Sequence, residues 1–197
     1  MRSYWRLPVG LLLLAGGVII VMYIRAKIGR ESEEKYLTTL KKNITLSSRS
    51  FPPNGDIPVD CSCRGKGISP ALMWEIDASV AQSYVILTTD YDVPTPAFPV
   101  FNLSHWVIYN LPASVRSIPE AVSSEQMRML GGKLGKNSMG NPAFIAACPP
   151  AGRHAYIFRI YALDRMLSFT TVPDKHMLLD AMNGHVLGYG ELTGYFE

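Results

Sequence analysis

The sequence predicts a mostly β domain with a minor helical part, preceded by one transmembrane helix. Two observations predict this class. From Phe51 onward, short apolar runs rich in β-branched and aromatic residues alternate with Pro, Gly, Asn and Ser, as the strands of a β domain do. At the N-terminus, eighteen successive residues between Arg6 and Arg25 carry no charge. The β part has roughly 150 residues, enough to bury a hydrophobic core.

The uncharged N-terminal run is long enough for a membrane-spanning helix. At about 1.5 Å of rise per residue it reaches roughly 27 Å, close to the hydrocarbon thickness of about 30 Å. A cleaved signal peptide is the alternative, but the run ends in Met22–Arg25, without small residues at cleavage-site spacing. We therefore predict an uncleaved anchor over residues 1–24. Basic residues flank it on both sides, which leaves its orientation open, and we expect the domain on the periplasmic or extracytoplasmic side.

Residues 25–46 form a polar segment that we predict to be a stalk. Glu33 and Glu34 precede Lys41 and Lys42, and opposite charges at helical spacing stabilise a helix by only a few tenths of a kcal/mol per pair. This weak support favours a solvated spacer over a short helix. The folded domain is then predicted to cover residues 47–197.

Three buried strands and one helix are predicted within the domain. The strand runs are 82–89, 105–111 and 156–163, and prolines bound each of them. A helix is predicted to begin at Pro173-Asp174 and to end at Gly184, with a closing strand over 186–196.

Polar side chains gather at the ends of the predicted strands. Asp90 and Asp92 follow the first run, His105 opens the second, and His154 and Tyr156 open the third. Loops at strand ends often carry function because the sheet fixes their positions. A protonated imidazole donates from both nitrogens, so two histidines with a tyrosine suit a phosphate or another small oxyanion. If both imidazoles must be charged to hold the anion, its affinity is predicted to fall between about pH 6 and 8, as the imidazoles lose their protons. The alternative for each histidine is a half-buried structural side chain, which the residue pattern alone favours.

Rival chemistries are weaker. Asp90 or Asp92 with both histidines matches two-histidine, one-carboxylate metal ligation, but no closely spaced ligand pair is present, so we expect neither a metal nor a cofactor. Ser69 lacks the G-x-S-x-G context of a hydrolase nucleophile. The glycine-rich stretch 131–138 lacks the spacing of a phosphate-binding loop and is predicted to be a flexible loop.

The three cysteines and the charge balance exclude further classes. Cys61 and Cys63 are too close for a relaxed mutual disulfide, and pairing of either with Cys148 is left open. Cys148 can also be read as a nucleophile near His154, or as a small buried thiol beside two prolines, which is commoner. A formal net charge of +3 without a basic cluster does not indicate nucleic-acid binding.

Three motifs in register together resemble the phosphatidylethanolamine-binding protein family, in particular its bacterial Raf-kinase-inhibitor-like (YbhB/YbcL) branch. The motifs are Asp90-x-Asp92-x-Pro94, His105-Trp106-Val107-x-Tyr109-Asn110-x-Pro112 and Cys148-Pro149-Pro150-x-Gly152-x-His154-x-Tyr156. The resemblance covers about residues 47–197 and implies an antiparallel β-sandwich with a few peripheral helices.

The resemblance also implies a function and a site. It implies a non-enzymatic binding domain for a small phosphate-type anion or a phospholipid head group, with a homodimer as its expected assembly. A kinase- or protease-inhibitor-like interaction module is the alternative, and a hydrolase or metal enzyme is third. The implied anion-binding residues are Asp90, Pro94, His105, Pro149, Pro150, His154 and Tyr156, and Asp92 is expected to shape the loop. The chain departs from the family at 145–148, where side chains replace a glycine common before the proline pair, so we expect a crowded pocket.

Overall fold

The computed structural model describes residues 6–76 and 80–197. The first five residues of the predicted anchor lie outside the described residues. All three predicted strands, the helix and the closing strand are confirmed, and the strands extend beyond the predicted runs. The elements are α1 (Arg6–Leu37), β1 (Ile44–Ser47), a 3₁₀ turn (Val59–Cys61), β2 (Leu72–Ile76), β3 (Ser83–Val93), β4 (Phe101–Pro112), β5 (Ser117–Ile118), α2 (Ser124–Met129), β6 (Lys133–Leu134), β7 (His154–Leu163), α3 (Lys175–Met182) and β8 (Val186–Phe196).

The strands form an antiparallel β-sandwich, as the family resemblance implies. One sheet has five strands in the order β6-β4-β3-β7-β8, and the other has three in the order β1-β2-β5. The inner face of the large sheet packs against the small sheet around Trp74, Trp106 and Phe158. Its outer face is covered by the end of α1 and by α3, through Leu37 and Leu178. Because both faces are buried, β3, β4 and β7 have nearly continuous apolar sequences.

The predicted solvated stalk is instead helical over most of its length. Helix α1 continues to Leu37, and its last turns contact the domain. Glu33 places its carboxylate 2.6 Å from the Lys175 ammonium and 2.6 Å from the Tyr91 hydroxyl. We call the polar group around it the docking cluster, and its members are Glu33, Tyr91, Arg159, Lys175 and Glu191. These partners lie far away in sequence, and the charge spacing within the stalk did not reveal them. The boundary at residue 47 stays a prediction, and β1 begins at Ile44.

The first half of α1 is apolar and exposed. Leu11, Leu12, Leu13 and Leu14 each expose about 70% of their surface. The helix contains a stretch long and apolar enough to cross a membrane, a property that an N-terminal signal sequence shares.

The glycine-rich segment serves packing. A methyl group on Gly135 would lie 2.6 Å from the Pro173 carbonyl oxygen and 2.5 Å from Val107. Only glycine therefore allows this segment to pass between β4 and the start of α3, and its backbone amides at Gly135 and Lys136 donate to Val107 and Pro173. The expectation of a flexible loop is wrong here, because these contacts hold the segment to β4.

The cysteine pairing is settled by the fold. Cys63 and Cys148 form a disulfide with their Cα atoms 5.4 Å apart, and Cys61 is free and buried. Cys148 is therefore neither a nucleophilic thiol nor the small buried thiol that the sequence favoured.

Candidate functional site

Three adjacent strands bring the predicted polar residues together at one end of the sandwich. Asp90 lies near the end of β3, directly opposite Tyr156 on β7. His154 is the first residue of β7. On β4, Trp106 pairs with Thr88 and Ser104 with Thr89, so His105 is the extra residue of a bulge. Bulges re-aim side chains, and this one turns His105 toward Asp90. We call Asp90, His105, His154 and Tyr156 the site cluster.

Asp90 is the centre of the site cluster. One carboxylate oxygen accepts a hydrogen bond from Nδ1 of His154 at 2.8 Å, and the other accepts from the Asp92 amide at 2.8 Å. The other ring nitrogen of His154 donates to the Ala151 carbonyl at 3.2 Å. Both partners of His154 are acceptors, an arrangement that only a doubly protonated ring satisfies fully. Asp90 and His154 therefore form a buried, hydrogen-bonded pair.

His105 has one satisfied and one unsatisfied nitrogen. Its Nδ1 donates to the Ile145 carbonyl at 2.8 Å. Its Nε2 is buried without a hydrogen-bond partner and lies 3.9 Å from the nearest oxygen of Asp90. Burial lowers the pKa of His105 below its usual value, although the bond to Ile145 and the charge of Asp90 oppose this effect. The neutral ring of His105 is therefore favoured near pH 7 in the unliganded protein, and its Nε2 presents a lone pair. The hypothesis that both imidazoles are charged when an anion binds stays a prediction.

Tyr156 supplies the second unpartnered atom. Its hydroxyl is buried and makes no hydrogen bond of normal geometry, although the Cys148 backbone amide approaches it and acts against the rise in its pKa. Burial, reinforced by Asp90, raises the pKa of Tyr156, so the hydroxyl keeps its proton and remains a donor. The Tyr156 and His105 rings meet edge to face, with centroids 5.1 Å apart. The two unpartnered atoms thus belong to side chains in direct contact.

The remaining predicted residues flank the site cluster. Pro94 and Pro149 are half-buried and Pro150 is exposed, so these prolines lie around the hydrogen-bonded groups rather than among them. Asp92 accepts a hydrogen bond from the Ala155 amide at 2.8 Å and so ties the end of β3 to β7, in agreement with its expected shaping role.

The structure adds contributors that sequence reasoning missed. The carbonyls of Ile145 and Ala151 hold the two histidines, and main-chain groups leave no signal in a sequence. The disulfide joins the segment before Pro149 to Cys63. The docking cluster did leave a signal, because Arg159 is a charge inside an otherwise apolar strand run and such a residue needs a buried partner.

The site cluster is almost closed to solvent, with side chains at most 3% exposed in the two histidines and Asp90. A cavity of about 480 Å³ lies between α3, β4 and the segment 136–140, and one of about 320 Å³ lies between α1 and α3. The two share Glu33, His176 and Leu179 as lining residues. Within residues 6–76 and 80–197, three or more histidine, cysteine or carboxylate side chains do not converge in a way that would hold a metal ion.

Comparison with known proteins identifies the family. Residues 47–197 match the family model described as phosphatidylethanolamine-binding protein. A UPF0098 protein of Methanothermobacter thermautotrophicus is 35% identical over 154 residues, which are 78% of this chain and 99% of that protein. A UPF0098 protein of Chlamydia trachomatis is 35% identical over 77% of this chain and 97% of its own length.

Solved structures agree with the sequence matches. A crystal structure described as a phosphatidylethanolamine-binding protein homologue of Chlamydia trachomatis superposes with a TM-score of 0.71 at 34% identity, covering 80% of this chain and 99% of that one. Escherichia coli YbcL has the same fold, with a TM-score of 0.69 at 22% identity, covering 79% of this chain and 98% of that one. The chain therefore belongs to the phosphatidylethanolamine-binding protein family.

Proposed function

We propose that residues 47–197 form a binding domain for a small phosphate-type anion or a phospholipid head group, and that the site cluster holds this ligand. One observation carries the proposal: Nε2 of His105 and the hydroxyl of Tyr156 are both buried without a hydrogen-bond partner, and their rings are in contact. A buried polar group without a partner costs roughly 1–3 kcal/mol, so two neighbours of this kind are expected where a ligand completes them.

Each member of the site cluster has a distinct role in this proposal. The Tyr156 hydroxyl donates to a phosphate oxygen. Nε2 of His105 accepts from a protonated phosphate oxygen, or donates once it has taken up a proton. His154 is held in place by Asp90 and supplies a second donor when its bond to Ala151 opens. Pro94, Pro149 and Pro150 form the rigid surroundings.

The pKa of His105 sets the pH dependence of binding. Because burial lowers this pKa from 6.5, the unliganded ring is neutral at pH 7. A bound anion favours the protonated ring, so binding takes up a proton and affinity falls as pH rises. The loss of affinity therefore begins below pH 6.5. An exposed histidine would instead give a loss of affinity between about pH 6 and 8.

Ligand access requires movement of the segment from Pro149 to Arg153. This segment is largely exposed, and its Ala151 carbonyl occupies the second nitrogen of His154. Displacing it frees that nitrogen and opens the site cluster toward solvent. The chain thereby exchanges an internal hydrogen bond for one to the ligand.

Membrane tethering and an extracytoplasmic position are part of the proposal. Residues 1–24 serve as the anchor, supported by the exposed apolar half of α1. The Cys63–Cys148 disulfide supports the oxidising side of the membrane, because disulfides persist there and are rare in reducing compartments.

A protein-interaction module, such as a kinase or protease inhibitor, is the second candidate. The closure of the site cluster favours it, since a surface acting on a protein partner needs no open pocket. Capture of a partner by a His105→Ala/His154→Ala double variant distinguishes the two candidates. Retained capture supports the surface mechanism, and lost capture supports the ligand-binding site.

Calorimetric titration of the full-length protein with phosphate and with phosphoethanolamine tests the proposal. His105→Ala and His154→Ala are each expected to weaken binding at least tenfold, because a hydrogen bond to a charged group contributes about 1.5–3 kcal/mol. His185→Ala is the matched control, since His185 contacts Asp164 at 3.1 Å on the surface. Unchanged affinity in both site variants, with intact circular dichroism, rejects the proposal.

A further inference from the structure

The path of α1 across the domain relates the anchor to the site cluster. Tyr23 stacks on Phe98 with ring centroids 5.1 Å apart, and the Ala26 carbonyl accepts from Asn102 at 2.8 Å. Further along the helix, Glu33 contacts Tyr91, and Leu37 packs in the outer core beside Val85 and Leu87. The helix therefore runs antiparallel to β3, from the end of that strand toward its start. Its apolar half leaves the domain at the end of β3 and the beginning of β4.

The site cluster lies at this same end of the sandwich. Asp90 is close to the end of β3, His105 is close to the beginning of β4, and His154 begins β7. Asp90 and Tyr91 are neighbours in β3 and therefore point to opposite faces of the sheet. Tyr91 faces α1, and Asp90 faces the site cluster. The anchor and the site cluster thus lie on opposite faces of one strand end.

Exposed aromatic residues surround the point where α1 leaves the domain. Phe98 exposes 46% of its surface and Phe101 exposes 45%. Phe98 lies in the β3–β4 connection and stacks on Tyr23, and Phe101 begins β4 and lines a hollow with Met22 and Arg25. Tyr23 stands two residues before Arg25, where the apolar run ends. Aromatic and basic residues at the end of an apolar helix are typical of the interface between hydrocarbon and water. The apolar surface of α1 is continuous with Phe98 through the stack with Tyr23.

The docking cluster fixes the angle between α1 and the domain. Besides its bonds to Lys175 and Tyr91, the Glu33 carboxylate lies 3.4 Å from the guanidinium of Arg159. Arg159 is in turn held by Glu191 at 2.7 Å. A partly buried cluster of this kind is costly to break, because the charges left behind lose their nearest partners. The domain therefore cannot rotate freely about the anchor.

We infer that the end of the sandwich that carries the site cluster faces the membrane surface, with Phe98 and Phe101 seated in the lipid interface beside α1. The partner of this surface is the bilayer that anchors the chain. The functional consequence of this orientation rests on the proposed function. A site cluster that faces the membrane meets the phosphates of lipid head groups before it meets soluble phosphates.

Spin-label depth measurements on the full-length protein test this orientation. A nitroxide is attached to Phe98→Cys or to Met129→Cys, in nanodiscs of phosphatidylethanolamine and phosphatidylglycerol. Met129 is the matched control, because it is 80% exposed at the end of α2, and Gly131 after it packs against Pro112 at the far end of β4. Cys61 is fully buried and is not labelled.

The expected result is that the label at position 98 collides more often with oxygen than with a water-soluble nickel chelate, and that the label at 129 shows the reverse. Equal access of the chelate to both labels overturns the inference, as does failure of the full chain to enter nanodiscs. In the background of Glu33→Gln, which weakens the docking cluster, the label at 98 is expected to gain access to the chelate. Glu31→Gln is the control, because Glu31 is exposed. Its ion pair in the described part of the chain is with Lys27 at 3.8 Å, on the same helix.

The orientation and the proposed function fail separately. Label depth does not depend on phosphate binding, so a membrane-facing Phe98 with unchanged phosphate affinity in the histidine variants rejects the binding site alone. A water-exposed Phe98 with lowered affinity in those variants rejects the orientation alone.

Discussion

The two faces of the five-stranded sheet each bury a polar cluster, and the clusters differ in how completely they are satisfied. In the docking cluster on the outer face, Glu33 has Lys175 and Tyr91 as partners, and Arg159 has Glu191. In the site cluster on the inner face, His105 and Tyr156 each keep one atom without a partner.

This difference separates structure from function. A fully paired buried cluster fixes geometry, and the docking cluster fixes α1 against the domain. A cluster with unpartnered buried atoms destabilises the folded protein, and such a cluster is expected where a bound ligand supplies the missing hydrogen bonds. β3 supplies both clusters from adjacent residues, Tyr91 outward and Asp90 inward.

The largest effect is expected from the docking cluster. Arg159→Ala removes the nearest cation of Glu191 and one of the two cations beside Glu33, so two partly buried carboxylates each lose a counter-charge. We expect a loss of about 3–5 kcal/mol in the free energy of unfolding. Arg128→Ala is the control, since the pair of Arg128 with Glu125 is exposed and contributes less than about 1 kcal/mol. Chemical denaturation of the two variants measures both values, and equal values would show that the docking cluster is not structural.

A smaller effect is expected when the paired part of the site cluster is broken. Asp90→Asn keeps the shape of the side chain and removes the charge that faces His154. We expect a loss of about 1.5–3 kcal/mol, the contribution of a hydrogen bond to a charged group. Asp164→Asn serves as the control, because Asp164 meets His185 on the surface. If the two variants lose equal stability, the Asp90–His154 pair does not hold the site cluster.

The pH dependence of stability separates the two clusters further. Because the pKa of folded His105 is lowered from 6.5, the unfolded chain binds the proton more readily. Stability from this residue is present above pH 6.5 and is lost as pH falls toward the folded pKa. We expect the midpoint temperature of thermal unfolding to decrease as the pH is lowered below 6.5 in the wild type. The decrease is expected to be smaller in His105→Gln. Identical pH profiles would show that His105 is not desolvated.

Much of the fold could be predicted from the sequence because both faces of the large sheet are buried. The runs that became β3, β4 and β7 are apolar at successive positions, and prolines end them. The helical stalk could not be predicted, because Glu33 is stabilised by Lys175 and Arg159, which are close only after folding. Local charge spacing carries no information about such partners.

The site was predicted in part for a similar reason. Asp90, His105, His154 and Tyr156 were singled out by their positions at strand ends and by the family motifs, and the structure brings them together. Whether they bind a ligand stays a prediction. The unpartnered Nε2 of His105 could not be predicted, because it depends on a bulge and on the Ile145 carbonyl. The Cys63–Cys148 pairing depends on a distance across the chain that spacing alone leaves open.

Tyr156→Phe tests the central claim most directly, because it removes only the unpartnered hydroxyl and keeps the ring against His105. Phosphate affinity and the free energy of unfolding are measured on the same sample, with Tyr109→Phe on the outer face as the control. We predict at least a tenfold loss of affinity, about 1.4 kcal/mol or more, with stability unchanged or slightly higher. Unchanged affinity together with a loss of stability would contradict the account, since the hydroxyl would then serve the fold and not a ligand.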